Sequence, residues 1–354
     1  MTLSRIHLDG NAHALGHGLG VFGRDAVHLH LRPLALWQHL ASLAHTPAAL
    51  QMRQSVQTEF PRYWEEIEGL ADGLQLPLDE VFMWNCRGDY VHQQSVDGCT
   101  TVLGPTSGGT LIAHNEDGFP QLRGHCALLH ATPESGLAFN SFVYPGSLPG
   151  HTVAVNERGL VATVNNIRPA SIPVGIPRQI LARATLDAHT IDEAIHTVIR
   201  TDRAGAFHHT FGQMGSARVV SVEACAEGSN VSEVQWPEGH SNHLVSLSLS
   251  QVRQRITASS GARQRCIDRR LEQLSGDLDA DQSLSILRDT SGGHLPVYRT
   301  AADDPDDENT LATGVFLISA NTVEWRIYTK PNTDQPDAAG VVQRLPVDVW
   351  SGHR

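Results

Sequence analysis

Between residues 33 and 74 apolar side chains recur every three to four positions, the period of a helix with one buried side. Leu34, Leu36, Trp37, Leu40, Leu43 and Ala44 share such a side, and Thr46-Pro47 reads as a cap followed by proline in the first helical turn. A second helix is expected over about 47–60 and a third from Tyr63 through Ile67, Leu70 and Ala71 to a stop at Gly73. Residues 77–84 begin another helical stretch. After Asp97 the pattern shortens. Residues 99–103 and 110–114 are apolar, partly β-branched runs around a Gly/Pro/Ser turn, which predicts a hairpin. Further strands are expected at 126–131, 138–143, 152–155 and 160–164, the last two joined by a tight turn at 156–159.

A helical pattern returns over 177–200, strands at 217–224 and 244–249, and a charged helix over 259–274 whose arginines are assigned to its polar side. Residues 314–319 and 322–330 read as a closing hairpin. Helices and strands come in blocks, without regular βαβ alternation. That order favours a layered α+β fold with antiparallel sheets in one domain.

The chain has 354 residues, 40% apolar and 18% charged, with a net charge of −12. It is long enough for a sizeable core, and its acidity with no basic patch argues against nucleic-acid or anionic-membrane partners. The dense acidic run at 303–308 reads as a solvated loop. There is no apolar run near the ~20 residues that cross a bilayer. Five cysteines, Cys86, Cys99, Cys126, Cys225 and Cys266, are scattered and odd in number, which suits free thiols in a reducing, cytoplasmic setting.

One cysteine stands in a reactive context. Gly98 offers a carbonyl that no side chain obstructs, Thr100 and Thr101 bring hydroxyls, and Cys99 opens an expected strand that would fix its thiol in space. Attack of the thiol on the Gly98 carbonyl would give a thioester, and its hydrolysis would leave Cys99 with a free α-amine. Such an amine titrates at ~7.7–8.0 and can take the thiol proton near neutral pH. A buried structural thiol is the ordinary alternative.

These residues belong to a larger pattern. Glu65-Glu66, Gly69, Ala71 and Gly73 resemble an "EE-x-x-G-x-A-x-G" helix, Asp97-Gly98-Cys99-Thr100-Thr101 a processing motif, and Asn115-Glu116-Asp117 an "N-x-D" after the hairpin. Asn156-Glu157-Arg158-Gly159 with Asn165-Asn166, and Ser241-Asn242-His243 as a "T-N-H" equivalent, complete the series. In order and spacing the chain resembles the self-processing acyltransferase/hydrolase family typified by acyl-CoA:isopenicillin N acyltransferase, of the N-terminal-nucleophile superfamily. The resemblance implies a four-layer αββα sandwich and self-cleavage into 1–98 and 99–354, the two pieces staying associated. It implies a small-molecule amide substrate, no cofactor and no metal. It also implies that Asp117 orients the Cys99 amine or thiol and that Asn242 and one of Asn165 and Asn166 hold the oxyanion. Some relatives carry an arginine where this chain has residues 309–313; none stands there, and Arg299 is the nearest upstream.

Other constellations are weaker. His13 and His17 have helical ligand spacing, but Gly16, Gly18 and Gly20 argue against a helix, and no third ligand is evident. His208-His209 lies between Phe207 and Phe211 and reads as packing or pocket wall. Pairing of Cys99 with His114 or His243 would instead make a papain-like enzyme with an intact chain. The expected function is an N-terminal-cysteine hydrolase of a linear amide. The alternatives are an acyltransferase moving the acyl group to an amine, and a non-catalytic ligand-binding protein.

Overall fold

The computed structural model describes residues 3–90, 98–274, 276–330 and 333–343. Asp97, the first residue of the processing motif, lies outside them. The glycine-rich N-terminal segment overturns the expectation drawn from its composition. After β1 (Ser4–Gly10) it forms α1 (Ala12–Ala26), capped by Asn11, whose side chain accepts the Ala14 N–H. There follow α2 (Ala35–Ser42), α3 (Pro47–Glu59) and α4 (Pro61–Leu74), then α5 (Leu78–Asn85) and the single turn α6 (Arg87–Tyr90). Gly16 and Gly20 of α1 face Gly69 and Gly73 of α4, and a Cβ on any of the four would run into the other helix's backbone. A glycine inside a helix costs ~1 kcal/mol relative to alanine; here the close approach of two backbones offsets it. Gly73 therefore does not stop α4, which ends at Gln75 in the left-handed conformation. His13 does sit on a helix, but its Nε2 is 2.9 Å from Asp72 Oδ2.

The expected hairpin is present as β2 (Gly98–Thr106) and β3 (Gly109–Gly118). The next four strands also appear: β4 (Ala127–Pro133), β5 (Phe139–Val143), β6 (Val153–Asn156) and β7 (Leu160–Ile167). The single helical segment expected over 177–200 is two, α7 (Arg178–Thr185) and α8 (Ile191–Val198), the second capped by Thr190. Strand β8 (Ala206–Gln213) escapes the sequence pattern because both its faces are buried, histidines included. It is followed by β9 (Val219–Cys225), β10 (Gly228–Glu233) and β11 (Glu238–His240). The strand expected at 244–249 is absent: the Val245 and Ser246 N–H groups donate to the Glu223 carboxylate, and Leu247–Leu249 is a 3-10 turn. Helices α9 (Ala258–Glu272) and α10 (Ala280–Leu287) precede β12 (Asn309–Ile318), β13 (Thr322–Tyr328) and β14 (Ala338–Gln343).

The strands make two sheets, β1-β4-β5-β6-β7-β8-β9-β10 and β11-β2-β3-β12-β13-β14. All neighbours are antiparallel except β1 and β4, which run parallel. The sheets face each other where Thr101 of β2 donates to Asn165 of β7 at 2.7 Å. Helices α1, α4, α7 and α8 cover the outer face of the larger sheet. Ile267 of α9 and Leu284 and Leu287 of α10 pack on Val102, Leu111, Ala113 and Val315 of the smaller one. The result is the expected four-layer α+β sandwich. No helix among the described residues is long and apolar enough to cross a membrane.

Two further features bear on the site. Residues 3–90 are stitched into the rest: β1 belongs to the larger sheet, and Glu66 of α4 forms a buried two-armed ion pair with Arg183 of α7 at 2.6 and 2.9 Å. The acidic run is not simply solvated. Asp303 and Asp307 are exposed, whereas the carboxylates of Asp304 and Glu308 are buried against the Arg299 guanidinium.

Candidate active site

The two-residue turn Ser107–Gly108 fixes the hairpin register, setting Cys99 opposite Glu116 and Gly98 opposite Asp117. Opposed residues share a face, and faces alternate along each strand. Cys99, Thr101, His114 and Glu116 therefore point between the sheets, while Gly98, Thr100, Asn115 and Asp117 point toward α9 and α10.

On the inner face Cys99 Sγ lies 3.7 Å from Glu116 Oε2, which is 3.1 Å from His114 Nε2. Tyr144 donates its hydroxyl to Glu116 Oε1 at 2.7 Å. His114 Nδ1 meets Thr101 Oγ1 at 2.8 Å. Burial pushes the His114 pKa down to about 3, so the ring is neutral. Among the described residues, Cys99, His114 and Glu116 are the one group of three such side chains close enough to share a cation; their nitrogen and oxygen are already joined by a hydrogen bond. A cavity opens beside Cys99, lined by Glu116, His151, Asn166, Arg178, Gln179 and Phe207.

On the outer face the organising group is Arg263 of α9, buried and not on the helix's solvent side as expected. It donates to the Cys99 carbonyl, to Thr100 Oγ1 at 2.9 Å and to Asn242 Oδ1 at 2.6 Å. Asn242 Oδ1 also accepts the Cys99 backbone N–H at 3.0 Å, and its Nδ2 donates to the Asn166 carbonyl at 3.0 Å. Asp117 Oδ1 accepts from Thr310 at 2.6 Å, and Oδ2 is buried with no hydrogen-bond partner among the described residues. Burial raises the Asp117 pKa, while the positive charges of Arg263 and Arg299 oppose the shift. Arg299 pairs with Glu308 and Asp304, and Arg168 stands 3.7 Å from Glu308. A Cβ at Gly98 would overlap the Glu308 carboxylate, so any larger residue there must displace that side chain.

The structure thus gathers Cys99, Gly98, Asp117, Asn242 and Asn166 around one point. Asn165 is one step removed: Oδ1 accepts from Thr101 and His208, and Nδ2 donates to the His240 carbonyl. His243 binds Ser241 and Ser260. His208 stacks on His240 at 3.6 Å, while His209 lies between Phe207 and Phe211. Sequence reasoning missed Glu116, although the hairpin turn already determines that it faces Cys99. It missed Arg263 for want of any local signal, because an arginine in a helix full of charge looks solvated.

A family model described as acyl-coenzyme A:6-aminopenicillanic acid acyl-transferase matches residues 105–331, well over half of the chain. The chain belongs to this family. It is 26% identical over 326 residues to the beta-alanyl-dopamine/carcinine hydrolase of Drosophila melanogaster, across 83% of this chain and 81% of that protein. To the 40 kDa form of the acyl-coenzyme A:6-aminopenicillanic-acid-acyltransferase of Emericella nidulans it is 26% identical over 170 residues, 47% of this chain and 46% of that one. A mutant of the conjugated bile acid hydrolase from Clostridium perfringens superposes with a TM-score of 0.45 at 12% identity, covering 69% of this chain and 92% of that one. As a member of the acyl-transferase family the chain is an enzyme of the amide-hydrolysing or acyl-transferring kind.

Proposed function

We propose that the chain is a self-processing hydrolase that cuts Gly98–Cys99 and then uses Cys99 to cleave the amide of a small N-acyl compound. The observation that carries this reading is the setting of the Cys99 nitrogen, held on Asn242 Oδ1 while its own Sγ faces a cavity. Once freed, that nitrogen is the base for turnover. The partnerless Asp117 Oδ2 sits opposite Gly98 in register and supplies a counter-charge for the new ammonium. Sγ attacks the substrate carbonyl, the amine leaves, and water resolves the thioester. Asn242 Nδ2 and the Asn166 side of the cavity supply the oxyanion donors, each worth ~3–4 kcal/mol of barrier. Strand β1 and the Glu66–Arg183 pair keep 1–98 bound to 99–354 after the cut.

The cavity is small, about 10 Å³, and Val164 and Phe207 line it together with Arg87, Arg178, Gln179, His151 and Glu116. That size favours a short acyl group over a long alkyl chain, in keeping with the relative named for a β-alanyl conjugate. Five buried free thiols suit a reducing compartment such as the cytoplasm. The family's description favours acyl transfer as the second reading. The test is incubation of the purified enzyme with N-β-alanyl and N-hexanoyl amides plus a competing amine. The proposal expects free acid, faster from the β-alanyl amide. Amide exchange without free acid would establish the transferase, and a Cys99 no more reactive than free cysteine would leave only ligand binding.

A further inference from the structure

Self-processing has a difficulty that turnover lacks. In the uncut chain the Cys99 nitrogen is an amide, donating to Asn242 Oδ1 at 3.0 Å, so the amine that later serves as base does not yet exist. The thiol proton needs another acceptor. Glu116 Oε2 faces Sγ at 3.7 Å.

The protons of the inner network can be counted outward from Asn165. Its Nδ2 donates to the His240 carbonyl at 3.1 Å, which leaves Oδ1 as acceptor for Thr101 at 2.7 Å and for His208 Nδ1 at 3.1 Å. Thr101 has one hydroxyl proton and spends it on Asn165. At its 2.8 Å contact with His114 Nδ1 it must therefore accept, so His114 carries its proton on Nδ1. The Nε2 lone pair then faces Glu116 Oε2 at 3.1 Å. Two lone pairs do not meet at that distance, and one proton lies between them. Burial disfavours the imidazolium, which places that proton on Glu116 at rest.

We propose that the Glu116–His114 pair, held in this tautomer by Thr101 and Asn165, is the base for self-processing, taking the Cys99 thiol proton before the α-amine exists. The inference rests on the self-processing reading above. In the step the S–H bond breaks and its proton passes to Glu116 Oε2, while the proton already there moves to His114 Nε2. The sulfur electron pair forms the C–S bond to the Gly98 carbonyl carbon. As the Gly98–Cys99 C–N bond breaks, one proton returns from the pair to the Cys99 nitrogen, giving thioester and amine with the pair restored. Water then adds across the thioester, leaving a Gly98 carboxyl and the free thiol. Asn165 and Thr101 are positioning residues. The other titratable or charged groups around the pair are Tyr144 with His151 against its ring, Cys126, Arg87 and Arg178 across the cavity, and His208 beyond Asn165.

The test follows the precursor after cell-free synthesis by intact mass, as a function of pH. Glu116→Gln should slow the cut by ~10²-fold or more, the scale of a lost general base. Glu116→Asp should recover part of the rate, and Thr101→Val, which removes only the tautomer-setting hydroxyl, should cost ~10-fold. The processing profile should lack the inflection near ~8 that the α-amine gives to turnover. Should Glu116→Gln unfold relative to Cys99→Ala, the Asp and Val variants decide the matter. Wild-type cutting rates in these variants, or a processing profile with the same inflection as turnover, would overturn the inference and leave self-processing standing. A wild-type chain that turns over substrate without ever being cut would remove both.

Discussion

On the face of β2 and β3 turned toward the larger sheet, Cys99, Glu116, His114, Thr101 and Asn165 meet as hydrogen-bonding groups in a setting that keeps His114 neutral. On the opposite face of the same two strands, Asp117, Glu308 and Asp304 meet Arg263, Arg299 and Arg168 as charges. One hairpin thus serves one cysteine in two ways. The inner face surrounds the Cys99 thiol with hydrogen-bonding groups, and the outer face fixes the Cys99 backbone through Arg263 and Asn242. Alternation along a strand is enough to keep the two apart, since each strand presents successive side chains to opposite sides.

Breaking the point shared by both faces should have the largest effect: Cys99→Ala should abolish both the chain cut and amide hydrolysis, read by mass and by acid release. Removing the hub of the outer face comes next. Arg263→Met should lower kcat/KM by ~10²-fold and cost ~2–4 kcal/mol of stability in urea unfolding, because it strips the buried hydrogen bonds to Cys99, Thr100 and Asn242 and leaves Arg299 alone to balance Asp117. The double variant Arg263→Met/Asp117→Asn should regain stability without regaining rate, which separates the two contributions. Gly98→Ala drives a methyl into the Glu308 carboxylate and should cost ~1–3 kcal/mol while slowing the cut.

The smallest effect sharpens the comparison most. Burial pushes Glu308 up to about 7 against the pull of Arg299 and Arg168, so the folded chain binds more protons than the unfolded one between pH 4.5 and 7. Its contribution to stability is therefore lost as pH rises through that window. His114, pushed down to about 3, acts with the opposite sign, but above about pH 4.5 the proton kept on Glu116 in the folded pair offsets the one the unfolded imidazole binds, so stability is lost as pH falls only from about pH 4.5 to 3. Glu308→Gln should remove the first slope and His114→Gln the second, read as unfolding midpoints against pH.

Much of this was legible in the chain because hydrophobic period and turn chemistry agree there. The hairpin at Cys99, the strands β4 to β7 and the helices α3 and α4 all follow from local pattern, whereas β1 was not foreseen. The glycines of α1 misled because their purpose, letting α4 approach, exists only once the two helices are packed. Strand β8 was hidden by burial on both faces, which erases alternation. At the site, Gly98, Cys99 and Asn242 could be named from motifs, whereas the buried fates of Arg263 and Glu308 depend on which faces α9 and the acidic loop turn inward. Period alone does not set that in segments dense with charge.

The central claim is that Gly98–Cys99 is a bond built to break. Intact mass of the purified, active enzyme under denaturing conditions tests it most directly. The account predicts two fragments, the larger beginning at Cys99. A single 38.5 kDa chain in fully active enzyme would contradict it.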